Sequence, residues 1–262
     1  MTERLRDLLT AYYTAYYHDE LGIPDYEYRI KNRLREEEVF ARPQIERLQK
    51  ILRYSFSPAT KVLVIGGGTG AEFIAFAMMG CDVYTIEPDE KAIEILNLKC
   101  RKHQLDPGKV SMEHAEHLSF PSDCFDLVYC FTVLEHVQDV ALSIQEAIRV
   151  TKPLGYIYLN TPDYRQCYEG HYKLPLPLFL PKWMLKLLLR FHHRPTAFLD
   201  SLQFVTAKQL RNCFRRSNVV ALQVYLPYEY PMKQQKGWSR IIRWMQDVLG
   251  IERNQQWILM KS

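Results

Sequence analysis

A short apolar strand that runs straight into a cluster of glycines and then into a helix constrains this chain more than anything else in it. The segment is KVLVI at 61–65, followed by Gly66, Gly67, Gly68, Thr69 and Gly70. An apolar, β-branched run with no polar alternation suits a strand buried on both faces of a parallel sheet. The glycines allow a tight turn and a close approach of backbone to a ligand, while the first N–H groups of the helix stay unpaired. At the end of the next strand-like run stands Glu87, 21 residues beyond Gly66. A carboxylate so placed can accept hydrogen bonds from both ribose hydroxyls of a bound nucleoside.

From residue 61 onward, strands at 61–65, 82–86, 109–114, 125–131 and 155–160 alternate with helices at about 70–79, 89–103 and 138–150. That alternation predicts an α/β fold built on a doubly wound, mostly parallel sheet with right-handed crossovers. Upstream, 1–20 reads as a helix carrying Tyr12, Tyr13, Tyr16 and Tyr17, and 28–53 as a second helix that Pro43 kinks or breaks. Residues 162–204 interrupt the alternation. Thr206 then caps a helix at 207–216, and strands at 219–226 and 255–261 with a helix at 238–249 close the chain.

The turn alone does not choose the nucleoside. Gly66-x-Gly68-x-x-Ala71 also fits a dinucleotide fingerprint, so an NAD(P)-dependent oxidoreductase stays open, as does a non-catalytic binding protein on the same fold. The absence of any Tyr-x-x-x-Lys pair removes the short-chain dehydrogenase form of the first alternative.

The residues beyond the turn are more specific. Ala115-Glu116, Leu118, Phe120, Phe125-Asp126-Leu127-Val128 and Leu134-Glu135-His136-Val137 resemble the third-to-fourth-strand segment of class I S-adenosylmethionine-dependent methyltransferases. The resemblance is to the ubiquinone and menaquinone-biosynthesis type, and RVTKPLGYIYLNTP at 149–162 is similar to that type's helix-to-fifth-strand segment. It implies a seven-stranded sheet in the order 3-2-1-4-5-7-6 with the last strand antiparallel. It implies an N-terminal helical lid over 1–55 and a methyltransferase domain over 56–262, with 162–204 inserted. The cofactor would be S-adenosyl-L-methionine, held by Gly66, Gly67, Gly68, Thr69, Gly70, Glu87, Pro88, His114, Ala115, Glu116, Phe131 and Thr132. Val64 and His114 stand where the family commonly has acidic residues. The GGGTG turn also resembles aminopropyltransferases, but these carry an acid where this chain has Cys130-Phe131-Thr132.

Methyl transfer asks the protein to align the acceptor, exclude water and, for a hydroxyl, remove a proton. His136 is the first candidate base, at the carboxyl edge of the sheet where such folds bind ligands, with Glu135 to orient it. Relatives thought to hold a divalent metal carry Glu-x-x-Glu-His here. This chain has Thr132 in place of the first acid, so no metal is expected. Tyr13, Tyr17, Asn160, Tyr164 and His171 are the candidates for the acceptor pocket.

Within the insertion, Lys182, Lys186, Arg190 and Arg194 recur every fourth residue and form a basic stripe beside Trp183, Leu185, Leu187, Leu188, Leu189 and Phe191. Such a helix suits a lid with the stripe toward water, and it also suits a peripheral membrane contact through 181–194. Net charge is +4, from 34 basic and 30 acidic residues, too slight an excess to expect nucleic acid. Six cysteines without paired metal spacing, and acids at Glu3 and Asp7 where a leader needs apolar residues, lead to the expectation of a reduced, cytoplasmic protein. The expected partner is a small-molecule acceptor.

Overall fold

The computed structural model describes residues 2–37, 39–224 and 254–262. The polypeptide enters as α1 (Glu3–Thr14), which runs on into a π-helical turn at Ala15–Glu20, then α2 (Tyr26–Glu36) and α3 (Arg42–Leu52). Pro43 lies in the first turn of α3, where its missing N–H costs no helical bond, so the anticipated break is a clean division into two helices.

Alternation then begins with β1 (Lys61–Ile65), α4 (Ala71–Met78), β2 (Asp82–Ile86), α5 (Glu90–His103), β3 (Val110–Ser111), β4 (Phe125–Phe131) and α6 (Val140–Val150). It continues with β5 (Thr151–Pro162), α7 (Lys182–Phe191), α8 (Ala197–Ser201), α9 (Ala207–Arg215), β6 (Val219–Val224) and β7 (Asn254–Lys261). The strands form one seven-stranded sheet in the order β3-β2-β1-β4-β5-β7-β6, as expected. β1 to β5 pair in parallel, and β7 runs antiparallel to both β5 and β6. β3 is shorter than expected and β5 longer. The helix expected at 238–249 lies outside the described residues.

Alternate side chains of β1 explain its unbroken apolar run. Leu63 and Ile65 enter a core shared with α6 and α9, while Val62 and Val64 enter a second core shared with α3 and α4. The registers Ile65 to Ile86 and Ile65 to Cys130 bring the carboxyl ends of β1, β2 and β4 level, so their loops open on one edge.

Two further clusters cover that edge. α1 packs Leu5, Leu9 and Tyr13 against Ile30 and against Ile95 of α5. The inserted segment builds its own core from Tyr164, Tyr172, Leu185, Leu189, Leu199 and Leu202, closed by Leu21 and Ile23 from the N-terminal part. Burying each of these leucines stabilises the cover by roughly 1.5–3 kcal/mol.

Three of the four basic residues of the expected stripe are tied to neighbouring backbone or to Asp200, while Arg190 is exposed. Lys182 donates to the Leu202 carbonyl at 2.7 Å, Lys186 pairs with Asp200 at 2.6 Å, and Arg194 donates to the Gly22 carbonyl. Asp200 in α8 and Leu202 just after it supply the first two of these acceptors, and Trp183, Leu187 and Phe191 are exposed on α7 together with Arg190. Among the described residues no helix is long and apolar enough to cross a membrane.

Candidate active site

The glycine turn is tied to the strand beside it. Gly66 and Gly67 both donate to the Ile86 carbonyl, at 3.0 and 2.9 Å, and Gly70 donates to Gly67 at 2.8 Å before α4 begins. A Cβ on Gly66 would strike Val133, but one on Gly68 would meet no atom of the described residues within 4 Å. Gly68 therefore faces open space, in a left-handed conformation (φ 49°). Its N–H donates to Glu87 Oε2 at 2.7 Å, and Asp89 N–H donates to Oε1 at 3.1 Å. Burial pushes the Glu87 carboxyl up, against the opposing pull of these two N–H groups. Each carboxylate oxygen keeps a lone pair for a further donor, as nucleoside binding requires.

Of the other cofactor candidates, Pro88 and His114 are exposed beside Glu87, and Ala115 is buried behind them. Glu116 Oε1 accepts from the N–H groups of Gln138 and Asp139, at 2.6 and 3.1 Å, and so holds the approach to α6. Phe131 ends β4. Thr132 follows in a left-handed conformation (φ 53°), its N–H bonded to the Asn160 carbonyl at 2.7 Å. A β-branched residue there is strained, a feature that gathers at functional sites.

Thr69 is turned inward, and its hydroxyl donates to Glu37. Tyr13 donates to the other Glu37 oxygen at 2.7 Å and contacts Thr69 at 3.1 Å, while Lys99 Nζ lies 2.7 Å from Glu37. Burial opposes ionisation of Glu37, but Lys99 and Arg33 outweigh it and hold the carboxyl below its ordinary value. Tyr13, expected at the acceptor, thus clamps the cover onto the glycine turn, and Tyr17 stacks on it at 6.0 Å. Their neighbours reach the open side. Tyr12 sits by Asp89 and Glu87, and Tyr16 meets Phe198 at 5.9 Å.

Beyond β4 lies a second group of residues. Glu135 is fully buried; its Oε2 accepts from Thr161 at 3.0 Å, its Oε1 has no partner among the described residues, and burial pushes its pKa up to about 7. His136 still presents a face to solvent, yet crowding of its ring and the neighbouring His171 push it down to about 4. The His136 and His171 rings meet edge-on at 5.2 Å, and both contact Phe198. His171 Nδ1 donates to Glu169 Oε1 at 2.7 Å, and Tyr172 N–H donates to Oε2 at 2.6 Å. Burial works against the Glu169 charge, but these donors outweigh it and keep the carboxyl below its ordinary value.

One oxygen of Glu135 and one ring nitrogen each of His136 and His171 lie within 4.8 Å of one another. Two imidazoles and one carboxylate are a donor set that suits a divalent transition metal, and ionising the buried Glu135 carboxyl would be part of the cost of binding one. Tyr164 stacks on Phe204 at 4.6 Å, with its buried hydroxyl unpartnered among the described residues. Asn160 is also buried, with Oδ1 accepting from Asn254 at 2.8 Å, and it joins β5 to β7 instead of lining an opening. A surface cavity of about 380 Å³ between α6 and α9 contains none of these residues. Sequence reasoning placed Tyr12 and Tyr16 on the N-terminal helix without giving them a site role, and it passed over Glu37, Lys99, Glu169 and Phe198. Only the i, i+4 repetition of the tyrosine pairs and the short Glu169-x-His171 spacing could have pointed to some of them.

Residues 63–159 match the family described as methyltransferase domain. The chain is similar to a ubiquinone biosynthesis O-methyltransferase of Leptothrix cholodnii, 32% identical over 38% of this chain and 43% of the relative. Its counterpart in Aromatoleum aromaticum is 29% identical over 66% of this chain and 69% of the relative. In the first of these the matched stretch spans less than half of the relative's length. Among solved structures, an Archaeoglobus fulgidus SAM-dependent methyltransferase superposes with TM-score 0.52 at 15% identity, over 87% of this chain and 98% of that one. The [4+2]-cyclase SpnF gives 0.52 at 16% identity, over 82% and 80%. Both share the fold.

Proposed function

Proceeding from the class I S-adenosylmethionine-dependent methyltransferase domain that this chain carries, we propose that it transfers a methyl group to a hydroxyl oxygen on a quinone-like ring. The transfer reading is carried by the match of residues 63–159 to the methyltransferase domain, with a nucleoside site supported by Glu87 at the end of β2, bonded to a Gly68 that faces open space. Glu87 would accept the ribose hydroxyls, Gly68 would leave room for the chain of the cofactor, and Ala115 with His114 would border the base. S-adenosylmethionine supplies a methyl group on a sulfonium whose thioether leaves without acid assistance.

The acceptor reading rests on rings. Tyr16, Phe198, His136 and His171 form a cluster of rings beside the strand ends, against which a flat ring could stack. The names of the curated relatives support oxygen as the acceptor atom. Two tests separate the parts. S-adenosylhomocysteine should raise the melting temperature and NADH should not; the reverse would return the oxidoreductase. Labelled cofactor incubated with catechol, hydroquinone and glucose should give a methyl ether of a phenol, and methylation confined to the sugar would overturn the quinone-like acceptor.

A further inference from the structure

Resting on that reading, we propose that His171 is the general base of the transfer and that Glu169 positions it, so the catalytic imidazole comes from the insertion after β5. The arrangement is built. A backbone bridge between Glu169 and Leu174 closes a small loop that presents His171 toward the strand ends. Within it Glu169 is almost wholly buried and both its oxygens are engaged, one by His171 Nδ1 at 2.7 Å and one by Tyr172 N–H at 2.6 Å. A carboxylate fixed on Nδ1 leaves Nε2 as the acceptor and stabilises the imidazolium that forms when a proton arrives.

The surroundings favour His171 over His136. Among the described residues no carboxylate bonds to the His136 ring, which is more exposed than His171 and is pushed down to about 4 by crowding and by His171, against a smaller pull from Glu169. Glu135, Tyr164 and Tyr16 are the other titratable groups near the dyad, with His136 in edge contact. Among the described residues Glu135 Oε1 and the Tyr164 hydroxyl are buried without partners, a pair of polar atoms that a hydroxylated ring could satisfy. In the step itself the acceptor O–H bond breaks and its proton passes to His171 Nε2. The oxygen lone pair forms the new bond to the methyl carbon, and the carbon–sulfur electron pair stays with sulfur. Glu169 balances the imidazolium charge.

The test compares two probe acceptors of different acidity. With catechol, His171→Gln should lower kcat by about 10²–10⁴ while leaving S-adenosylhomocysteine affinity within about twofold, and Glu169→Gln should fall between. 4-Nitrocatechol, already ionised near neutral pH, needs no base, so the same variants should lose less than about tenfold. Equal losses on both acceptors would overturn the proposal, as would activity abolished by a chelator and restored by a divalent cation. Should neither catechol be methylated while S-adenosylhomocysteine still binds, the acceptor reading fails and the dyad is judged separately by ¹⁵N NMR. A wild-type His171 protonated at Nδ1 with Nε2 free, a preference lost in Glu169→Gln, sustains it. A proton resident on Nε2 overturns it.

Discussion

Glu37 and Lys99 meet at 2.7 Å in an ion pair shut off from solvent, although 62 positions separate them. The same carboxylate binds Tyr13 of α1 and Thr69 of the glycine turn. One buried charge therefore ties the N-terminal cover, α5 and the cofactor turn together.

Glu37→Ala would take away the carboxylate that pairs with the buried Lys99 ammonium, and breaking a buried pair by removing one partner costs about 3–5 kcal/mol. Urea denaturation should show that loss, and Glu37→Leu combined with Lys99→Met should recover much of it. The wild-type contribution also depends on pH. Because the folded carboxyl lies below its ordinary value of 4.5, its stabilisation is present above that value and is lost as pH falls through the folded pKa. An unchanged urea midpoint in Glu37→Ala would show that the pair contributes nothing.

Glu135 has the opposite sign. Its pKa rises from 4.5 to about 7 on folding, so the folded state binds the extra proton and stability declines as pH rises across that window. A shift of that size corresponds to on the order of 3 kcal/mol. Glu135→Gln should therefore be more stable than wild type at pH 8 and close to it at pH 4, read by thermal melts at both. Equal melting differences at the two pH values would mean that Glu135 does not titrate in this range.

Gly68→Val should fold and fail to bind. A left-handed conformation costs a substituted residue ~1–2 kcal/mol, and no atom of the described residues obstructs the side chain, so the valine would fill the space left for the cofactor. Gly66→Ala should do the reverse, since its Cβ meets Val133 and the damage falls on stability. Circular dichroism with S-adenosylhomocysteine calorimetry separates the two. A Gly68→Val protein that binds normally would show that this face of the turn carries no ligand.

Glu87→Ala should weaken S-adenosylhomocysteine binding by about ten- to a hundredfold, because hydrogen bonds to a charged group contribute ~1.5–3 kcal/mol. Glu87 also accepts from Gly68 N–H, so Glu87→Gln is the better-behaved companion, keeping one acceptor oxygen for the turn. Calorimetry giving wild-type affinity in both variants would remove Glu87 from the site.

The frame of the sheet was legible because its signals are local. β1, β2 and β4 fall at the expected positions, and Pro43 divides the N-terminal helices. The glycine turn and Glu87 come together because a strand and its crossover helix have a set length. The site beyond them was not legible. Glu37 and Lys99 read as ordinary surface charges until folding brings them together, and Lys182 and Lys186 of the α7 stripe read as solvated until Asp200 and the Leu202 carbonyl are seen beside them. Tyr13 and His171 were picked out for the same pocket. Their hydroxyl and imidazole serve different ends of the site, a distinction set by side-chain partners that no spacing encodes.

The π-helical turn at Ala15–Glu20 adds a matter of angular phase. A helix advances ~100° per residue, so a wide turn delays everything after it relative to a regular helix. Tyr12 meets Asp89 and Glu87 upstream of that delay, while Tyr16 meets Phe198 from within it. Removing one residue from the turn would rewind the rod and swing one of these contacts out of alignment, whichever end stayed anchored. If the nucleoside and the acceptor bind where we propose, both are gauged against a single shaft whose winding sets their relative bearing.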